Sequence, residues 1–138
     1  MMKHLVRWLP PVLVMGAIFY FSSRTGDELG SFMPFFHRLF PAMESFDWGH
    51  FVAYFILGLT FVWAIAGSRP TARQRLLVVL LCTAYGLTDE FHQLFVSGRS
   101  SDWHDLRNDA IGGTLAMLVL YIPFIARFYA RLPHRMKQ

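Results

Sequence analysis

The chain has 138 residues, 54% hydrophobic and only 16% charged, with a formal net charge of +4 and a pI near 9.6. Soluble domains carry about 25% charged residues, so a solvated globular domain is a poor fit. The basic residues flank apolar runs, which argues for membrane topology and anionic headgroups over nucleic acid, and a single cysteine, Cys82, excludes an internal disulfide.

The first apolar run, Trp8 to Ser23, follows a basic 1–7 segment. It lacks a small-x-small cleavage site before Arg24, so we expect an uncleaved anchor with Pro10 and Pro11 in its first turn. Residues 24–47 are long for a simple helix connection. They contain Phe32-Met33-Pro34-Phe35-Phe36-His37-Arg38-Leu39-Phe40, a composition suited to an interfacial helix on the outer membrane surface. The second run, Phe51 to Ser68, carries no formal charge over 18 residues and is the clearest span. The short basic connection 67–75 makes the second and third runs antiparallel neighbours.

The third run is the informative one. Its uncharged part, Leu76 to Thr88, is 13 residues, about 20 Å of helix, against roughly 30 Å of hydrocarbon core. To span, the helix must continue through Asp89-Glu90-Phe91-His92-Gln93-Leu94-Phe95. Ionisable groups at that depth face a bundle interior or a water-filled cavity. A turn, Ser97-Gly98-Arg99-Ser100-Ser101-Asp102, leads to a helix starting near Trp103. That helix runs into the fourth apolar stretch, Ala110 to Ala126, whose Gly112, Gly113 and Ala116 suit close helix contact.

Charge sets the orientation. All nine acidic residues lie within 27–47 and 89–109, whereas nine of the thirteen Lys and Arg residues lie at the two ends and in the 69–75 connection. Lys/Arg excess marks cytoplasmic loops. The expectation is an all-α polytopic membrane protein: a four-transmembrane-helix bundle with N and C termini cytoplasmic and spans near 8–23, 51–68, 76–95 and 110–126. It forms a single domain, 1–138, multi-pass in the plasma (inner) membrane.

Helical spacing puts Tyr85, Asp89 and His92 on one stripe and Gly86, Glu90 and Gln93 on the next; Asp105, Asp109 and Gly112 share a face, as do His50, Tyr54 and Gly58. Three helix ends thus bring His, carboxylates and Arg99 to one outward mouth. Asp89, Glu90 and His50 are the candidate catalytic acid/base residues. Tyr54, His92, Gln93, Arg99, Asp105 and Asp109 are candidate substrate contacts, with Arg99 suited to an anion. No dense ligand spacing of the HExxH kind is present, so no metal and no other cofactor are expected.

The run Asp89-Glu90-Phe91-His92-Gln93-Leu94-Phe95-Val96-Ser97-Gly98-Arg99-Ser100 resembles the signature of the VanZ-like membrane proteins, D-E-x-x-Q-x-F followed by a Gly-Arg turn. Asp105, Asp109 and Gly112 match the positions that follow, and Phe19-Tyr20-Phe21-Ser22-Ser23 and His50-Phe51-x-x-Tyr54 match the first two spans. The Lys that the family often carries ahead of the His is absent here. The resemblance implies four transmembrane helices and a role at the cell envelope, the namesake being associated with teicoplanin resistance. The expected partner is a membrane lipid or lipid-linked cell-wall precursor, with a homo-oligomer formed through the small residues of the fourth span as a further expectation. The alternative role is a non-catalytic accessory or oligomeric component, or a small transporter.

Overall fold

The computed structural model describes residues 2–39, 41, 47–66 and 69–131, and these form helices joined by turns, with no strand among the described residues. In chain order they are α1 (Met2–Ser22), α2 (Gly26–Leu39), α3 (Asp47–Ile65), α4 (Ala72–Gln93), α5 (Trp103–Val119) and α6 (Pro123–Arg131). The all-α expectation holds. Helix α2 falls where an interfacial helix was expected; it opens with Asp27 and Glu28 and closes with His37 and Arg38, complementing the helix dipole at both ends.

Four helices, α1, α3, α4 and α5, pack around one core. Helix α5 lies against both α3 and α4, and small side chains make that possible. A Cβ built on Gly112 would stand 2.7 Å from the Phe51 carbonyl oxygen of α3. Gly113 lies against Cys82 of α4, and Ala116 is fully buried. Tyr54, Leu57 and Val62 of α3 meet Val78 and Cys82 of α4 across this seam. These small residues of α5 are therefore engaged in contacts within the chain.

Three long-range hydrogen bonds pin the bundle. The Tyr85 hydroxyl donates to the Met15 carbonyl oxygen at 2.6 Å, tying α4 to α1. The Tyr129 hydroxyl donates to the Leu59 carbonyl oxygen at 2.7 Å, tying α6 to α3. Arg75 donates to the Met117 carbonyl oxygen and lies over the Tyr121 ring, a cation at the C-terminal end of α5 where the dipole favours one. Thr71 caps α4 in a reciprocal box with Gln74.

The element limits differ from the expected ones in two places. Helix α1 starts at Met2, so Pro10 and Pro11 are interior to it and not in its first turn. The fourth apolar stretch does not run on to 126. Helix α5 ends at Val119, and α6 departs at 90°, because Pro123 disfavours helical geometry at the preceding residue and cannot donate an N–H.

Taken one at a time, the helices support fewer spans than the four expected. By length and composition, among the described residues, only Trp48–Ile65 suffices to cross a membrane, or two spans if the bent α5–α6 pair counts as one. The apolar part of α1, Val6–Ser22, is shorter. Helix α4 carries Arg73, Arg75, Asp89 and Glu90, and α5 carries Asp105, Arg107 and Asp109. Those charges lower the hydropathy of both, and of the two only α4, with 22 residues against 17 for α5, is long enough by itself.

Enlarging Gly112 should therefore damage the α3–α5 seam. Gly112→Val is expected to lower stability by about 1–3 kcal/mol, read as a fall in melting temperature in detergent. Gly16→Ala, at a position with open space around it, should leave the melting temperature unchanged or raise it.

Candidate functional site

One end of the bundle, where α3 and α5 begin and α4 finishes, collects six buried polar residues, Ser22, Asp89, Glu90, Gln93, Asn108 and Asp109. A cleft of about 220 Å³ opens there. His50, Gln93 and Asp105 form its inner wall, and Gly98, Arg99, Ser100 and Asp102 form its rim. Gly98 adopts φ 73°, a left-handed conformation that costs glycine little. The chain thereby turns sharply after α4 and delivers Arg99 to the rim.

Asp109 is fully buried. Its Oδ1 lies 2.8 Å from His50 Nδ1. A carboxylate only accepts, so in the neutral imidazole the proton sits on Nδ1 and Nε2 keeps a lone pair. Nε2 in turn lies 3.7 Å from Asp105 Oδ2. The His50 ring stacks above Tyr54, with planes 7° apart and centroids 6.2 Å apart. Space for Asp109 comes from α4: a Cβ on Gly86 would overlap Asp109 Oδ2. That oxygen and the Tyr54 hydroxyl are both buried without a hydrogen-bond partner.

A second chain of contacts runs along α4. Ser22 Oγ, at the end of α1, donates to Asp89 Oδ2 at 2.8 Å. Gln93 Nε2 lies 3.4 Å from the same oxygen, one helical turn on. Arg99 Nη2 donates to Gln93 Oε1 at 3.1 Å. Glu90 Oε2 accepts the Asp102 N–H at 2.8 Å, while Glu90 Oε1 is buried and accepts none. Among the described residues, Arg99 makes no ion pair; neither Asp89 nor Asp102 neutralises it.

The expected residues Asp89, Glu90, Gln93, Arg99, Asp105, Asp109, His50 and Tyr54 are thus brought to one end of the bundle. His92 points elsewhere. Its ring lies against Phe19 of α1 with centroids 4.4 Å apart, it does not line the cleft, and its Nδ1 is buried without a partner. Reading the sequence missed two participants. Ser22 carried a signal only as a hydroxyl closing an apolar run, and Gly86 only as a small residue beside Glu90 on α4. Asp102 caps α5, accepting from the His104 N–H at 2.8 Å; its own N–H also serves Glu90.

An all-helical chain with a polar cleft set among three helix ends is the class that fold and site define. The family model described as VanZ/LLP1 matches residues 8–126, and the chain belongs to that family. It is similar to an uncharacterised protein of Schizosaccharomyces pombe, 38% identical over 71 residues. That match takes in 51% of this chain and 43% of the relative, so the chain spans less than half of the protein it resembles. No solved structure matches it.

One pH effect follows from the rim. The His104 backbone N–H, then the His104 side chain, hold the Asp102 carboxyl below its ordinary value. A depressed folded pKa contributes stability that is present above the unfolded value, near 4, and lost as pH falls through the folded value. Fraying of the first turn of α5 should therefore increase as pH falls below about 4. Hydrogen exchange at the His104 amide should report it, and Asp102→Asn, which keeps the cap, should flatten the pH dependence.

Proposed function

We propose that the protein is an integral membrane protein of the cell envelope whose cleft faces outward and receives the phosphorylated headgroup of a lipid or lipid-linked precursor. The observation that carries this reading is Arg99. It is a guanidinium at the cleft rim, hydrogen-bonded to the neutral Gln93 and left with donors for an anion; a fork of N–H groups suits phosphate oxygens. Ser100 is exposed beside it at the rim.

The membrane part of the reading draws on where side chains point. Leu76, Leu80, Leu87 and Phe91 of α4 and Leu94 and Phe95 just after it are exposed, as are Leu9, Val12, Leu13, Phe19 and Tyr20 of α1, whereas Asp89, Glu90, Gln93 and Asp109 are buried. A chain with carboxylates inside and a belt of Leu and Phe outside suits a lipid surround. The basic residues at the start of α1 and in 69–75, with Arg127 and Arg131 of α6, lie toward the other end and mark the cytoplasmic side in this reading. In that frame all four packed helices cross the membrane together, the charged ones shielded by their neighbours.

Within the cleft, Asp89, Glu90 and His50 are the groups available for proton transfer, and Tyr54, Gln93, Asp105 and Asp109 orient them or contact the headgroup. Whether turnover follows is a matter of the bound lipid's chemistry, so binding is the property to test first. Native mass spectrometry in mild detergent should find a phospholipid or polyprenyl-phosphate adduct on the wild type. Arg99→Ala should weaken it at least about tenfold, the loss of one charge-assisted contact; Arg38→Ala, on α2, should not. No selective adduct, or one indifferent to Arg99→Ala, would contradict the headgroup reading and favour an accessory or transport role.

A further inference from the structure

We infer that His50, Glu90 and Asp105 form a binding site for a divalent transition-metal cation of the zinc class. One ligand atom from each, contributed by α3, α4 and α5, lies within 4.8 Å of the others. Zinc about 2.1 Å from each donor separates neighbouring ligands by roughly 3.4 Å. The 3.7 Å edge from His50 Nε2 to Asp105 Oδ2 is nearly at that spacing, and small side-chain rotations close the rest.

A cluster of acids alone would not suffice, and two independent features point to a cation. Glu90 is only 4% exposed, yet its Oε1 accepts no hydrogen bond. The Ser101 hydroxyl faces the same carboxylate, and Oε1 is still left without a partner. A buried carboxylate oxygen left in that state is costly unless a cation or donor reaches it. Arg99, whose Nη2 bonds Gln93, does not reach that oxygen.

The second feature is the pairing behind the imidazole. Asp109 Oδ1 holds His50 Nδ1 at 2.8 Å, which in the neutral imidazole fixes the tautomer and leaves Nε2, the atom facing Asp105, as the one able to bind a cation. A carboxylate behind the far nitrogen is the arrangement that orients and strengthens a metal-binding histidine. A nitrogen with two carboxylate oxygens selects a zinc-like ion over calcium or magnesium, which prefer all-oxygen shells. Asp89, Glu90, Asp105 and Asp109 also outnumber the positive groups near them, so the cleft suits a cation before it suits a bare anion.

Three protein ligands leave a position open, and His50 and Asp105 both line the cleft. A metal there would bridge the carboxylates to a phosphate oxygen held by Arg99; this bridging role rests on the headgroup reading, whereas metal affinity does not.

The test uses the full chain in detergent, treated with EDTA, dialysed, and titrated with zinc, manganese, calcium or magnesium chloride while metal content and melting temperature are read. The expected result is one saturable zinc ion per chain, a rise in melting temperature with zinc, and much weaker response to calcium and magnesium. Glu90→Gln and Asp105→Asn, close to isosteric, should each lower zinc affinity at least about tenfold while the melting temperature in EDTA holds or rises as repulsion among the carboxylates falls. Asp105 is partly exposed, so its variant remains informative if Glu90→Gln folds poorly. No saturable zinc uptake by wild type, or uptake unchanged in Asp105→Asn, would overturn the site. Zinc binding that survives while the lipid adduct proves absent would sink the headgroup reading alone.

Discussion

Asp109 cannot be left alone where it is. It is fully buried between helices, and an unpaired carboxylate in that setting costs several kcal/mol. The structure's solution draws on each neighbouring helix. Helix α3 supplies His50 as the hydrogen-bonding partner, and α4 supplies Gly86, whose missing side chain is the room the carboxylate occupies. Helix α5, which carries Asp109, approaches α3 closely enough only because Gly112 has no side chain to hold it off. The polar cleft and the tight packing below it are therefore one construction, and a change to the seam should be felt at the site.

The same logic runs along α4. Asp89 finds Ser22 of α1, and Gln93 relays between Asp89 and Arg99. Glu90 takes the N–H of Asp102, the residue that caps α5. The Ser22–Asp89, His50–Asp109 and His50–Asp105 contacts each join two helices, and Glu90 ties α4 to the cap of α5. The outer faces of these helices are rich in Leu, Phe, Val and Tyr. In lipid, where apolar faces gain little from meeting one another, such polar cross-links and close small-residue packing are what drive association. One end of the bundle thus holds it together and provides its chemistry.

Much of this was legible in the chain itself. An apolar run too short to span, followed by Asp89 and Glu90, required the helix to carry charge inward, and α4 does continue to Gln93. Helical spacing set Asp89 and Gln93 on neighbouring stripes, and the two side chains meet across them. The Gly-Arg turn and a helix start near Trp103 also followed from local signals. Hydropathy read helix limits poorly, because it follows apolarity and not backbone hydrogen bonding: α1 extends back through its charged start, and Pro123 ends what looked like a continuous stretch. Contacts between distant residues were out of reach. No local pattern says that Ser22 meets Asp89, that Gly86 makes room for Asp109, or that His92 turns to Phe19. The three groups that converge as a cation site come from three helices, which is why spacing within one helix did not announce them.

The central claim is that the polar cleft opens on the outer face of a membrane, opposite the basic connection between α3 and α4. Cysteine labelling tests it most directly. Cys82 is fully buried and should stay silent, so single cysteines can be placed at exposed Ser100, on the cleft rim, and at exposed Arg69, in the basic connection. With a membrane-impermeant maleimide on intact cells, Ser100→Cys should label and Arg69→Cys should label only after permeabilisation. Labelling of Arg69→Cys in intact cells with Ser100→Cys protected, or equal labelling of both, would contradict the account.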